Sequence, residues 1–458
     1  MALLIIAAAY LVFGLVSERL RSTVVTAPIA FVAVGLAIGP LGLGLVTPAG
    51  DAAAADSLFE LTLVLVLFSD AFAIDAGRLV RERSLPLRLL AIGLPLTIGL
   101  GWALAAMIFG GLDIWEAALV GAVLAPTDAS LAQGVIVDRR VPRLIRDGLN
   151  VESGLNDGIA LPFVIIFIGL TREATGTAGP QVVETFLRAL LISAVLGGLI
   201  GWFAGRLDVA ARERGWIGPT WRPLALLATA LLAYASASLI DGSGFIAAWV
   251  AGLVAGMAVR RREVASGQPR MVGVSSATET AGAERESSFI DGLGVLLTTA
   301  SYLVFGALLL GPQVASITPP VVLFAILALT VVRMVPVAVS LVGARLGRPT
   351  VLFVGWFGPR GLASIVFTVL IVDEALPGVP LISTIVATTV ALSIVAHGVT
   401  SAWSARRYGA WFAAAAARDP AIPEAAEGVE VAGRRLALGG AHPVRRPTAG
   451  PESGTDGR

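Results

Sequence analysis

The stretch NVESGLNDGIALP places Glu152, Ser153, Asn156 and Asp157 within two turns of a predicted α-helix. At about 100° per residue, the four polar side chains share one face of that helix, within an arc of roughly 140°. The apolar run FVIIFIGL follows at once, and polar groups that face lipid are unfavourable. We therefore predict that this face lines a water-accessible cavity inside a membrane protein.

The stretch GAVLAPTDASLAQG carries Thr127 and Asp128 directly behind Pro126. Proline lacks a backbone N–H and disfavours helix at the residue before it, so the helix is predicted to break between Pro126 and Asp128. Such a break frees backbone carbonyls, which bind cations. The Thr127 and Asp128 side chains then lie at the break and complete a predicted cation site.

A matching break is predicted in the second half of the chain, where the motif GPRG surrounds Arg360 with Gly and Pro. Paired interruptions in corresponding spans of two halves are typical of transporters built from inverted repeats. The order of the spans and the two breaks indicate this repeat, since the halves share no residue-level similarity that we detect. A kink without function is the alternative for either break taken singly.

Composition places the chain in a membrane. It has 458 residues, of which 56% are hydrophobic and 14% charged, and its mean hydropathy is +0.85. The formal net charge of +1 gives no indication of a nucleic-acid partner. The chain contains no Cys, which excludes disulfides and thiolate metal sites, and no Lys, which excludes a P-loop or Schiff-base lysine.

Apolar stretches long enough to cross a bilayer as helices, which takes about 20 residues, recur along the chain. We predict an all-α polytopic membrane protein with thirteen transmembrane helices, at roughly 2–16, 24–46, 56–75, 85–109, 114–137, 144–170, 185–205, 223–240, 243–259, 289–310, 317–343, 351–372 and 379–402. The first stretch lacks a positively charged n-region and a small-residue cleavage site. We therefore predict a span there rather than a signal peptide.

The arginines of the predicted loops fall almost entirely in alternate loops, those that follow spans one, three, five, seven, nine and eleven. Because positively charged loops stay in the cytoplasm, the N-terminus is predicted outside and the C-terminus inside. Residues 1–403 are thus predicted to form the transmembrane domain. Residues 404–458 are rich in Ala, Arg, Pro and Gly and are predicted to be a mostly disordered cytoplasmic tail.

A small set of charged residues falls inside the predicted spans: Asp70, Asp128, Glu152, Asp157, Arg333 and Arg360. A charge within a bilayer is costly, so such residues face a bundle interior, pair with one another or line an ion path. For each of them, a purely structural pair is the alternative to a functional role.

The motifs APTDAS and NVESGLNDGIALP, an arginine in the eleventh span and GPRG in the twelfth resemble the prokaryotic monovalent cation/proton antiporters of the sodium/proton exchanger type. The resemblance covers the whole predicted transmembrane domain. It implies that Asp157 binds the cation and the proton in alternation, and that Asn156 steadies the unwound fifth span near Thr127. It also implies that Ser153, Asp128 and the Thr127 carbonyl help to coordinate the ion.

The same resemblance implies a buried, structural ion pair between Glu152 and Arg333, and it places Arg360 where the two half-helices of the twelfth span meet. One departure concerns the third span, where many relatives resemble LFEGALxLD and this chain has LVLFSDAFAIDAG. Ser69 stands at the position of the Glu, and Asp70 follows it, about 100° further round the helix. Asp70 is therefore a candidate outer ligand, displaced from the family's position.

The expected chemistry is a competition for one group. A carboxylate buried from water prefers its protonated form, whereas a cation with oxygen ligands favours the ionised form. If only the loaded site crosses the membrane, exchange is obligatory. Neutral Asn156 beside Asp157 leaves one exchangeable charge, which predicts electroneutral exchange of one proton per cation, provided that Asp128 keeps one protonation state. Sodium is the expected cation, with potassium as the alternative and lithium as a further substrate to test.

We thus expect a secondary antiporter rather than an enzyme, without a cofactor, in the prokaryotic cell (inner) membrane. The resemblance implies a homodimer in contact with lipid. Two other classes compete with this expectation. A cation channel uses similar acids but does not require broken helices in both halves. An intramembrane aspartyl hydrolase uses a carboxylate dyad, here Asp128 and Asp157, but leaves no role for Glu152 with an arginine partner.

Overall fold

The structure is a computed structural model that describes residues 1–20, 23–74, 85–128, 130–179, 181–218, 220–266, 283–419 and 421–425. Within these ranges, all regular structure is helical and there is no strand. The helices, in chain order, are α1 (Ala2–Leu20), α2 (Ala27–Ile38), α3 (Pro48–Ala73), α4 (Leu85–Ile108), α5 (Ile114–Val123), α6 (Gln133–Ile136), α7 (Arg143–Ala174), α8 (Val182–Glu213), α9 (Trp221–Ser238), α10 (Gly244–Ser266), α11 (Ala283–Val304), α12 (Pro319–Leu329), α13 (Val331–Ser340), α14 (Arg348–Trp356), α15 (Leu362–Asp373) and α16 (Val379–Arg418).

The predicted all-α membrane fold is confirmed. Each of the thirteen predicted stretches corresponds to one helix or to two consecutive helices. Among the described residues, nine helical segments are long and apolar enough to cross a membrane, and α2, α5 and α15 are shorter apolar helices. The short lengths of α5 and α15 arise because each is one part of an interrupted span.

Both predicted interruptions are present. Residues 124–132 separate α5 from α6, and residues 357–361 separate α14 from α15. In each case a proline within the gap, Pro126 or Pro359, has no N–H to give to a helical ladder. The described residues of both segments are buried or partly buried. Irregular backbone is tolerated at membrane depth where protein surrounds it.

The N-terminal end of α5 is fixed by its first turn. The Asp113 carboxylate accepts a hydrogen bond from Trp115 N at 3.0 Å, and Glu116 Oε2 accepts one from Asp113 N at 2.9 Å, so the two acids form a capping box. Glu116 is buried, and its Oε1 also accepts from Gly378 N at 2.6 Å, directly before α16. The N-terminal end of the interrupted α5 is thereby tied to the start of the last helix.

Small residues allow α8, α10 and α3 to pack close together. On α8, Gly197, Gly201 and Gly205 lie so close to the α10 backbone that an added Cβ would overlap it. On α10, Gly252 and Gly256 lie equally close to the α3 backbone. Such contacts between small residues are a main source of helix association in membranes, where lipid is as apolar as the side chains.

The last helix extends further than the predicted boundary at residue 403. α16 continues to Arg418, and a short 3₁₀ turn, Pro423–Ala425, follows it. Glu424 is buried, and its Oε1 accepts hydrogen bonds from Gly347 N at 2.7 Å and Thr350 Oγ1 at 2.6 Å, at the start of α14. This part of the predicted disordered tail is therefore ordered, because Glu424 satisfies donors at a helix N-terminus. Residues 426–458 lie outside the described residues.

Candidate cation-binding site

Helix α7 carries the polar face that its sequence predicts. Glu152, Ser153, Asn156 and Asp157 are all buried, with exposed fractions of 3%, 6%, 1% and 7%. They lie in the first half of a helix of 32 residues that continues through Pro162. The polar face is thus surrounded by protein, as expected for a cavity-lining face rather than one that contacts lipid.

The two unwound segments cross each other beside this face. Asp128 N donates to Pro359 O at 2.8 Å, which joins the segments through their backbones. Arg360 Nη1 donates to Ala125 O at 2.8 Å and to Pro126 O at 3.1 Å. Arg360 is fully buried, so its guanidinium charge lies next to carbonyls that no longer have a partner within a helix.

Asp128 is held by three donors. Its Oδ1 accepts from Ser130 N at 2.8 Å, and its Oδ2 accepts from Tyr302 Oη at 2.6 Å and from Leu362 N at 2.9 Å. Leu362 is the first residue of α15, so the carboxylate lies at the positive end of that helix. The side chain of Asp128 therefore joins α15 and α11 to the break behind α5.

Two side chains of α7 donate hydrogen bonds to Thr127. Ser153 Oγ donates to Thr127 O at 2.7 Å, and Asn156 Nδ2 donates to Thr127 Oγ1 at 2.7 Å. The amide nitrogen of Asn156 thus holds the unwound segment through Thr127, and its side-chain oxygen does not take part in this contact.

Two buried oxygens at the site lack a donor. Among the described residues, neither Asp157 Oδ1 nor Asn156 Oδ1 receives a hydrogen bond. A buried acceptor without a donor is costly, by about 1–3 kcal/mol for a neutral group and more for a charged one. A proton or a cation relieves that cost at Asp157, and a cation relieves it at Asn156 as well.

Asp70, on α3, lies against Gly154 of α7. A methyl group placed on Gly154 would come within 3.3 Å of Asp70 Cβ, so α3 packs directly against α7 one turn before Asp157. Asp128 follows Thr127, which α7 contacts through Ser153 and Asn156. Three carboxylates therefore converge on one region of the bundle.

Glu152 and Arg333 form the expected ion pair. Arg333 Nη1 and Nη2 donate to Glu152 Oε1 and Oε2 at 2.5 and 2.9 Å, and both side chains are at most 5% exposed. The guanidinium of Arg333 also lies against Gly358, where any side chain would overlap it. The pair therefore links α7 and α13 to the unwound segment behind α14.

The structure thus brings together every residue singled out from the sequence, and it adds several that the sequence did not mark. Tyr302 donates to Asp128, and Ser364 Oγ donates to Val123 O at 2.7 Å. Ser393 contacts the second unwound segment, and His397 contacts the last residue of α14. Hydroxyl groups are common in membrane helices, and only a partner distant in sequence distinguishes these from the many that bond their own helix. A single sequence carries no signal of such partners.

The model of the family described as sodium/hydrogen exchanger, transmembrane, matches residues 4–407. The chain is 26% identical over 404 residues to the K(+)/H(+) antiporter NhaP of Alkalimonas amylolytica, which covers 88% of this chain and 64% of that protein. It is 30% identical over 268 residues to the uncharacterized Na(+)/H(+) exchanger Mb2309 of Mycobacterium bovis, which covers 53% of this chain and 45% of that one.

The fold is similar to that of the sodium proton antiporter MjNhaP1 from Methanocaldococcus jannaschii, with a TM-score of 0.70 and 19% identity. The superposition covers 87% of this chain and 98% of that one. The chain spans less than two thirds of the length of the curated NhaP relatives, 64% and 61% for the proteins of Alkalimonas amylolytica and Shewanella oneidensis.

Proposed function

The chain belongs to the sodium/hydrogen exchanger family, and on that premise we propose that it exchanges a monovalent alkali cation for a proton by alternating access at Asp157. The observation that carries the proposal is the pair of buried oxygens without donors, Asp157 Oδ1 and Asn156 Oδ1, beside two unwound segments. Proton and cation both relieve the unsatisfied carboxylate, and only one of them fits at a time.

The neighbouring groups complete the coordination. The Thr127 carbonyl and the Asp128 carboxylate each retain lone pairs beyond those that accept hydrogen bonds, so both can also contact a cation. Ser153 orients the Thr127 carbonyl, and Asp70 serves as the outer acid from α3. The set offers oxygen atoms alone, which suits an alkali cation.

One exchangeable charge is expected per cycle. Asn156 is neutral, and the bidentate pair of Glu152 with Arg333 removes those two charges from the count. Provided that Asp128, which is held by three donors, and Asp70 each keep one protonation state through the cycle, Asp157 alone gains and loses the proton. Transport is therefore electroneutral, with one proton exchanged for one cation.

Sodium is our first candidate for the cation. Potassium is the second, supported by the names of the NhaP and NhaP2 relatives, which are K(+)/H(+) antiporters. We further propose that the protein works as a homodimer in the prokaryotic cell membrane. None of this chemistry requires a cofactor or a covalent step.

The test uses inverted membrane vesicles that contain the protein and are acidified inside. Addition of sodium, potassium or lithium is expected to collapse the pH gradient, with a cation order that identifies the substrate. Vesicles that contain Asp113→Asn serve as a matched control, because Asn also caps a helix and Asp113 lies at the N-terminal end of α5. A pH gradient that is unchanged by all three cations, in vesicles with correctly inserted protein, would contradict the proposal.

A further inference from the structure

Helix α16 presents two polar side chains, one turn apart, to the break between α14 and α15. We infer that Ser393 and His397 form a clamp that holds both ends of this break, and that His397 acts through its Nε2–H as a positioning residue for cation binding. The inference rests on the proposed exchange at Asp157 for its transport consequence. The clamp itself concerns only the position of the backbone in the break and does not depend on transport.

His397 holds the first end of the break. Its Nε2 lies 2.9 Å from Trp356 O, the carbonyl of the last residue of α14, and its ring stacks on the Trp356 ring with centroids 5.1 Å apart. The carbonyls that end a helix have no intrahelical donor, so they need one from elsewhere. Within the break, Gly358 N donates to Trp356 O at 2.9 Å, and His397 Nε2 supplies a second donor to the same carbonyl.

Ser393 holds the second end of the break. Its Oγ accepts from Arg360 N at 2.7 Å, and it lies 3.2 Å from His397 Nδ1. Because Ser393 Oγ receives the Arg360 N–H, its own hydroxyl hydrogen is free to reach Nδ1. Trp356 O can only accept, so its contact with His397 requires a proton on Nε2, and Ser393 Oγ can then donate to Nδ1.

His397 is enclosed by protein and lies near positive charge. The side chain is fully buried, and the charged groups that act on it are the guanidiniums of Arg360 and Arg333, which repel a second positive charge. His397 Nδ1 also lies 2.9 Å from Ser393 O, a carbonyl of its own helix. Because Ser393 Oγ can donate to Nδ1, whereas the contact at Nε2 is with a carbonyl that only accepts, we assign Nε2 as the fixed donor of His397.

The clamp reaches the cation site through Arg360. Ser393 fixes the backbone of Arg360, and the guanidinium of Arg360 fixes the carbonyls of Ala125 and Pro126. The next residue along that segment is Thr127, whose carbonyl is a proposed cation ligand. A shift at the α14 end of the break therefore changes the position of that ligand without touching it.

A glutamine at position 397 can replace the Nε2 donor of His397 without replacing Nδ1. In His397→Gln, the side-chain amide reaches the Nε2 position and donates to Trp356 O, whereas His397→Phe keeps a stacked ring without a donor. We expect His397→Gln to keep the KM for the cation within about twofold of wild type, and His397→Phe to raise it about fivefold or more, the equivalent of one ordinary hydrogen bond. The maximal rate changes less than KM in both variants. Ser393→Ala is expected to resemble His397→Phe.

The control is Thr389→Val, one turn before Ser393 on α16. Thr389 is buried and its hydroxyl donates to Ile385 O of its own helix, so its loss leaves the break untouched. An unchanged KM in His397→Phe, or a KM in His397→Gln as high as that in His397→Phe, would overturn the assignment. A pH profile of exchange in His397→Gln that differs from wild type would overturn the fixed-donor role.

Hydrogen–deuterium exchange tests the clamp independently of transport. Amides of residues 357–361 and 124–128 are expected to exchange faster in His397→Phe and at the wild-type rate in His397→Gln and Thr389→Val. Equal protection in His397→Phe and wild type would refute the clamp. If the wild-type protein shows no cation-dependent proton flux, the proposed function fails, and this comparison still decides the clamp.

Discussion

At Asp157, the chemistry depends on which donors do not reach the carboxylate. The neighbouring polar side chains are already engaged: Ser153 and Asn156 donate to Thr127, and Asp128 accepts from three donors. Asp157 Oδ1 is left as a buried acceptor among the described residues. The structure therefore separates one exchangeable carboxylate from a surrounding set whose hydrogen bonds hold it in place.

Glu152 and Arg333 are expected to stabilise the fold without taking part in exchange. Glu152→Gln leaves the buried guanidinium of Arg333 without its anion, and breaking such a pair costs about 3–5 kcal/mol. The thermal unfolding midpoint of the purified protein should fall markedly, and the double variant Glu152→Gln/Arg333→Gln should recover part of the loss.

The matched control is Glu374→Gln, which breaks the exposed pair of Arg172 with Glu374, whose N···O distance is 2.9 Å. An exposed pair contributes about 0–1 kcal/mol to stability, so the thermal unfolding midpoint of Glu374→Gln should stay close to that of wild type. Equal midpoints for Glu152→Gln and Glu374→Gln would show that the Glu152 pair does not stabilise the fold.

At the level of helices, the sequence predicts the two interruptions because proline and glycine determine backbone geometry locally. The polar face of α7 follows in the same way from the spacing of Glu152 to Asp157. The side-chain contacts between these elements cannot be predicted from the sequence in this way. Tyr302 lies far along the chain from Asp128, and Glu424 caps α14 across a long separation in sequence. Only the packed helices reveal such contacts, and they explain why the sequence placed the end of the last helix too early.

Gly361 illustrates how tightly the two breaks are packed. A Cβ at this position would overlap Asp128 Oδ2 and come too close to the Tyr302 hydroxyl. In Gly361→Ala, the Asp128 carboxylate must move away from the N-terminus of α15. We expect the exchange rate to fall about tenfold or more, because ångström-scale misplacement of reacting groups has effects of that size or larger.

Gly99→Ala provides the control for that variant. Gly99 lies in α4 with no atom within 4 Å of an added Cβ, so alanine there should be neutral or slightly stabilising. Initial rates of cation-dependent proton flux in reconstituted vesicles compare the two variants. Full activity of Gly361→Ala would show that the crossing of the breaks tolerates a larger separation than the structure has.

At the scale of the whole molecule, the orientation of the bundle is open to direct measurement because the chain contains no Cys. Thr177 is exposed between α7 and α8, and Thr220 is exposed between α8 and α9. With the N-terminus outside, Thr177→Cys should react with a membrane-impermeant maleimide added to intact cells. Thr220→Cys should react only after the cells are opened. The reverse pattern would invert the orientation derived from the arginine loops.

The measurement that tests the central claim most directly is the number of protons released when a saturating cation is added to purified protein in weak buffer. Asp157 is expected to release about one proton per chain on cation binding, since proton and cation compete for its carboxylate. Asp157→Asn should release none, while Asp113→Asn should match wild type. Proton release by Asp157→Asn equal to that of wild type would show that another group carries the exchange.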